Sequence, residues 1–210
     1  MSLDARLKRK KKNKKPNIFY VIFCEWKSEK IYFEYLKSKS DKNIKCLELK
    51  HKDFEWIAEE IDKSVYNNWL SSDDFIYCVV DKDNHSLDEC KSGCKKIEEH
   101  AKVILSNKSF EIRILMHFSP FEKPVLKVDD YKAFINSSNN RKYFKSKNIN
   151  WEVWKPYSAK IWEVLSDKIN DAINNAKSVS KRQLKENNSK FECGAYTDIW
   201  KVVEKLMNDS

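Results

Sequence analysis

Four carboxylates sit where an α/β fold would bring them together. Glu25 follows the apolar run Ile18 to Cys24, and Asp81 and Asp83 follow "FIYCVV", residues Phe75 to Val80. Asp81 and Asp83 are two apart, so in extended backbone both point the same way. Glu29 stands one helical turn beyond Glu25. If the two strands are neighbours, three carboxylates meet at one sheet edge and repel one another unless a cation fills the gap; oxygen ligands of this kind suit Mg²⁺ or Mn²⁺. A cation held beside a basic surface lowers the pKa of a bound water and steadies charge on a leaving oxygen, which is the chemistry of phosphodiester hydrolysis. Strand ends are also acidic for a plainer reason, because loops are solvated and acids favour helix N-termini. The joint placement is what argues for a metal.

The elements that must position these acids are legible as alternating patterns. Asn17 to Cys24 is continuously apolar, as expected of a strand buried on both faces. Ser28 is a candidate N-cap for a helix with Ile31, Tyr32, Tyr35 and Leu36 on one stripe. Ile44 to Leu49 forms a second strand, and Phe54, Ile57, Ala58, Ile61, Val65 and Trp69 mark an amphipathic helix behind Asp53. Phe75 to Val80 is the third strand; Leu87, Cys90, Cys94, Ile97 and Ala101 share a helix face. Val103 to Leu105 is a fourth strand, and "SNKSFEIRILMHF" reads as a turn and an apolar helix. This order predicts an α/β fold, a mostly parallel sheet of about four strands flanked by helices. Ligands of such sheets bind beyond the carboxyl ends of the strands. Residues 1–16 form a basic tail, 17–128 the α/β core and 129–210 a helical C-terminal extension, with helix candidates at Tyr131 to Ile135, Trp162 to Ala176 and Tyr196 to Met207.

Composition narrows the function. The 210 residues carry a formal net charge of +9 and contain only two glycines, Gly93 and Gly194. That scarcity excludes glycine-rich phosphate loops of the dinucleotide and P-loop types. The positive charge suits a polyanionic partner. Part of it lies in the block Lys8 to Lys15, which is either a solubilising tail or an arm for nucleic acid or an acidic protein. No apolar stretch approaches the roughly 20 residues of a membrane span, and no signal-peptide core follows the basic start, so a cytoplasmic location is expected. Six cysteines in such a chain are expected to be reduced.

The stretches "VIFCEWKSEKIYFEYL", "YCVVDKDNH" and "ILSNKSFEIRILMHF" resemble the RloB-like family in order and spacing over residues 18 to about 118, and "YTDIWKVVEKL" is similar to that family's C-terminal helix. The resemblance implies a Toprim-related core and a magnesium-dependent, nuclease-like protein of bacterial antiviral, abortive-infection or restriction-associated defence. It implies Glu25 as general acid/base or metal ligand and Asp81 with Asp83 as the metal pair. Glu29 matches the second acid of the first motif. Asn107, Phe110 and Glu111 match the third motif, with Glu111 as a second-site ligand. The chain departs from the family where Trp26 replaces a glycine, Ser28 a threonine, Lys108 a proline and Arg113 a tryptophan.

Trp26 either stacks on a base, as aromatics in nucleic-acid channels do, or packs against the helical extension. Lys27, His85, Asn107, Arg113, Arg141 and Lys142 complete the candidate nucleic-acid contacts. His85 would touch a phosphate or carry a proton, and Arg141, Lys142, Lys145 and Lys147 interleave with Tyr143 and Phe144 as in a single-strand groove. Cys90, Cys94 and His100 match no zinc-finger spacing. The expected function is metal-dependent cleavage of DNA or RNA; transfer RNA is one candidate substrate, and no residue selects it. The alternative is a non-catalytic subunit that binds nucleic acid or a defence partner through a degenerate site. A partner protein, self-association into a homo-oligomer and the activating signal are left open by the sequence.

Overall fold

The computed structural model describes residues 18–50, 53–67, 74–82, 85–107, 110, 112–120, 142, 159–187 and 189–208. Within them lies one five-stranded sheet in the order β2-β1-β3-β4-β5. Its strands are β1 (Phe19–Cys24), β2 (Asn43–Glu48), β3 (Phe75–Asp81), β4 (Lys102–Asn107) and β5 (Tyr196–Thr197). The first four run parallel and β5 is antiparallel to β4. The helices are α1 (Lys27–Lys37), α2 (Phe54–Asn67), α3 (Leu87–Glu98), α4 (Ile112–Met116), α5 (Ala159–Val164), α6 (Ile169–Glu186) and α7 (Ile199–Asn208), with a 3₁₀ turn at Ser166–Lys168. No helix among the described residues is long and apolar enough to cross a membrane.

The unbroken apolar run of β1 follows from its position. Tyr20, Ile22 and Cys24 join a core with Tyr32, Phe33 and Leu36 of α1, Trp162 of α5, Ile173 of α6 and Val202, Val203 and Leu206 of α7. Val21 and Phe23 face the opposite core, made with Phe54, Ile57 and Ile61 of α2 and Cys90, Cys94 and Ile97 of α3. Both faces of the strand are therefore covered, and polar residues have no place on it. A third, smaller cluster joins Ile112, Leu115 and Met116 of α4 to Ala172, Ala176 and Val179 of α6.

Two readings of the sequence shift. Ser28 lies inside α1 and is buried, while Trp26 takes the N-cap position with extended backbone. The segment expected to be helical from Tyr196 begins as β5, so the C-terminal part contributes a strand to the sheet and side chains to its core. Backbone pairing with β4 outweighs helix propensity at Tyr196 and Thr197, a tertiary effect on residues that favour strands anyway. The basic tail and the helix expected at Tyr131 to Ile135 lie outside the described residues.

Strand order carries the functional consequence. β1 connects through α1 to β2 on one side, and β2 connects through α2 to β3 on the other side of β1. The helices cover opposite faces, so the chain reverses its winding between β1 and β3. A crevice opens at such a switch point, beyond the carboxyl ends of the strands. Glu25 and Asp81 occupy those two ends.

Helices α2 and α3 pack closely enough to leave no room for a side chain at Gly93. A Cβ there would stand 2.2 Å from the Phe54 ring carbon nearest it. His85, just before the capping box of Ser86 and Glu89 that starts α3, lies against the same ring at 4.8 Å between centroids. Alanine normally favours a helix over glycine by about 1 kcal/mol, whereas overpacking costs about 1–3 kcal/mol. Gly93→Ala is expected to lower stability by roughly 1 kcal/mol net, read as a lower urea midpoint; an unchanged or higher midpoint would show that the helix pair is looser than described.

Candidate active site

Three backbone N–H groups orient three buried carboxylates at the carboxyl edge of the sheet. Glu25 Oε2 accepts from the Asp81 N–H at 3.1 Å, which ties the end of β1 to the end of β3. Asp81 Oδ2 accepts from the Phe110 N–H at 3.1 Å, in the turn that precedes α4. Glu29 Oε2 accepts from the Trp26 N–H at 3.1 Å and so closes the first turn of α1. Exposure is 7% for Glu25, 4% for Asp81 and 0% for Glu29. An amide proton on a carboxylate fixes its direction and favours its ionised form.

The surrounding thiols report the same concentration of negative charge. Burial pushes Cys24 and Cys78 well above the ordinary thiol range, and Glu29 pushes both further; Glu25 adds to the effect at Cys78. They remain protonated, which removes them as soft ligands or nucleophiles. Oxygen donors are what this edge presents, and that set fits a hard divalent cation such as Mg²⁺ or Mn²⁺. Glu25 and Asp81 are the two described residues that would hold it. Among the described residues no group of three or more His, Cys, Asp or Glu side chains forms a metal-binding cluster, and Asp83, the third expected ligand, lies outside them, as do Glu111 and Arg141.

The remaining candidates separate into an inner and an outer set. Lys27 is exposed at the first residue of α1, Trp26 and His85 are half-buried, and Lys142 is exposed. Asn107 and Arg113, expected to meet nucleic acid, are buried at 3% and 1% exposure. Asn107 Nδ2 donates to the Cys193 carbonyl, and Arg113 Nη2 donates to the Tyr32 hydroxyl with its guanidinium 4.3 Å from that ring's centroid. Their positions make them internal supports, Asn107 for the C-terminal segment and Arg113 for α1.

Sequence reasoning did not find that the C-terminal segment grips this edge. Lys82 Nζ donates to the Phe191 carbonyl at 2.6 Å, and the Asp198 N–H donates to the Leu105 carbonyl at 2.9 Å. Asp81, Ser106 and Thr197 are register partners across β3, β4 and β5. The Ser106 and Thr197 hydroxyls lie 3.1 Å apart, and Thr197 Oγ1 also accepts from the Ile199 N–H at 3.3 Å. This polar row was visible in the sequence only as single hydroxyls at strand ends; register is what joins them to Asp81.

A family model described as RloB-like protein matches residues 20–206. No curated protein matches the chain. A crystal structure of an uncharacterized protein from Helicobacter pylori G27 is similar over 80% of this chain and 71% of that one, at 13% identity and a TM-score of 0.30, a likeness that carries no argument about the site.

In the turn that closes α4, His117 is 1% exposed and its Nδ1 lies 2.9 Å from the Arg113 carbonyl. A carbonyl only accepts, so Nδ1 carries the proton, and Nε2 has no hydrogen-bond partner among the described residues. Burial, with Arg113 nearby, holds its pKa down at about 3. The folded state thus keeps His117 neutral while the unfolded chain protonates it near pH 6.5. Its contribution is complete above pH 6.5 and is lost as pH falls toward 3, at about 1.4 kcal/mol per unit. Between pH 7 and pH 5 the parent is expected to lose about 2 kcal/mol from this group, and His117→Gln to lack that part of the slope. Equal slopes in parallel urea titrations at both pH values would refute the assignment.

Proposed function

We propose that this chain, which belongs to the RloB-like protein family, is a divalent-metal-dependent nuclease that hydrolyses phosphodiester bonds in DNA or RNA and serves in antiviral or abortive-infection defence. The observation that carries the chemistry is the pair of buried, amide-oriented carboxylates, Glu25 and Asp81, at the switch point of a parallel sheet. The defence role rests on the resemblance of the motifs alone.

In this reading Glu25, Asp81 and Asp83 would hold Mg²⁺ or Mn²⁺, which would supply a more acidic water and charge neutralisation at the leaving oxygen. The protein does the positioning. The Phe110 N–H keeps Asp81 from turning away, and the Asp81 N–H does the same for Glu25, so little rearrangement is left to the moment of reaction. Glu29 keeps the first turn of α1 closed, which sets Lys27 at the rim as a phosphate contact. Glu111 serves as a second-site ligand or orients water. The half-buried ring of Trp26 favours a second reading, a binding subunit whose site has lost activity, since a bulky side chain stands beside Glu25 where the family has glycine.

Cleavage of supercoiled DNA, single-stranded DNA and total transfer RNA with Mg²⁺, with Mn²⁺ and with chelator tests the two readings. Asp81→Asn keeps an oxygen for the Phe110 N–H and is expected to leave the thermal midpoint close to the parent's while activity falls roughly 10³-fold or more. Undiminished cleavage by that variant would overturn the site. Tight binding with no cleavage under any metal would favour the binding subunit.

A further inference from the structure

Helix α6 changes character halfway along. Its first half, Ile169 to Ala176, carries asparagines and one acid, Asp171, which pairs with Lys168 at 3.7 Å. From Lys177 to Lys185 it carries four cations and no acid. Lys177 pairs with Glu204 of α7; Lys181, Arg182 and Lys185 are exposed. Asn174, Ser178, Lys181 and Lys185 follow one solvent-facing stripe at spacings of four, three and four, with Arg182 beside it, while Ala176, Val179 and Gln183 are buried. Cations of other helices stand with acids: Lys30 with Glu48 at 3.6 Å, Lys37 with Glu34 at 3.3 Å, Lys63 with Glu59 at 3.0 Å, and Lys96 with Glu55. Lys181 and Lys185 make no hydrogen bond or ion pair among the described residues. The helix dipole favours cations in the last turn only, which accounts for Lys185 and leaves Lys181 and Arg182 unexplained.

The basic half is also the half that reaches the acidic edge. Near the middle of α6, Asn175 Nδ2 donates to the carbonyl of Met116, the last residue of α4, at 2.8 Å. The other end of α4 follows Phe110, whose N–H holds Asp81. Further along α6, Ser180 Oγ donates to the Thr197 carbonyl at 3.2 Å, and Gln183 Oε1 accepts from the Gly194 N–H at 3.0 Å. Thr197 is the register partner of Ser106, which is itself the partner of Asp81. Lys181, Arg182 and Lys185 thus flank residues that lie level with the acids. Sideways, β5 stands two strands from β3, about 10 Å at roughly 4.8 Å per strand.

We infer that Lys181 and Lys185, with Arg182 beside them, form a track for the phosphates of a nucleic acid laid beside the acidic edge. The inference rests on the nuclease reading for the identity of the polyanion. Ammonium and guanidinium groups hold phosphate oxygens through charge-assisted hydrogen bonds and read no base, so the track positions the nucleic acid without selecting a sequence. At about 1.5 Å per residue Lys181 and Lys185 are about 6 Å apart along the helix, close to two steps of about 3.4 Å on a duplex strand. Release of counter-ions from the contacted phosphates supplies the affinity, and binding therefore falls as salt rises. Acids that would oppose this, Glu186 and Asp171, lie at the two ends of the helix and outside the stripe.

The test is binding of a labelled DNA duplex of about 20 base pairs to the full chain in EDTA, followed by fluorescence anisotropy between about 50 and 200 mM salt, with cleavage in Mg²⁺ measured separately. Each phosphate contact contributes about 0.9 to the slope of log affinity against log salt. Lys181→Gln with Lys185→Gln is expected to flatten that slope by about 1.8 and to weaken binding roughly tenfold or more at about 0.1 M salt, with the thermal midpoint unchanged. Lys37→Gln with Lys63→Gln removes the same charge from α1 and α2 and should leave the slope within about 0.5 of the parent's. No binding by the parent, a slope unmoved by the α6 pair, or equal flattening by both pairs would overturn the track. An unmoved slope together with metal-dependent cleavage would leave the nuclease standing and reduce the stripe to a solvated face; a slope moved by the α6 pair alone, with no cleavage in any metal, would keep the track and remove the nuclease.

Discussion

β1 is held on all four sides: by two cores on its faces and by parallel partners, β2 and β3, on its edges. A strand so enclosed cannot slip in register, because a one-residue shift would exchange the residues facing the two cores. The position of Glu25 is therefore fixed by packing some distance below it, and the hydrogen bond from the Asp81 N–H needs only to set its final orientation. The acidic edge inherits its precision from the apolar interior, and substitutions at Ile22 or Phe23 would disturb it as surely as changes at the acids.

That arrangement has an electrostatic cost. Three carboxylates are held at 7% exposure or less, and a buried charge is unfavourable unless it is hydrogen-bonded or paired. Amide donors offset part of this. Arg113 is also buried, with a phenol as its described partner, and burial lowers its pKa.

The sequence revealed the parts that obey a period and concealed those that depend on register. The parallel strands were readable because β1, β3 and β4 hold short apolar runs and β2 alternates in burial, each next to helices of clear 3.6-residue spacing. Glu25 and Asp81 were readable because each ends such a run. β5 was not, since two residues cannot display a period, and neither was its partnership with Ser106. Asn107, which matches the third motif, and Arg113 were expected to contact nucleic acid. Their burial follows from contacts with residues 86 and 81 positions away in sequence, Cys193 and Tyr32, and no local pattern encodes a partner at that separation. Asp83, Glu111 and Arg141 stand outside the described residues.

The C-terminal segment adds a consequence in time. The carboxylates come from residues 25, 29 and 81, which leave the ribosome early, but the groups that clasp their edge, Phe191, Cys193, Thr197 and Asp198, are made more than a hundred residues later. Domains begin to fold during synthesis, and contacts distant in sequence form last. A nascent chain can thus assemble the acids while Lys82, Ser106 and Asn107 still lack their described partners from that segment. The acidic edge is therefore finished only when the segment from Phe191 to Asp198 has been made and has docked against it.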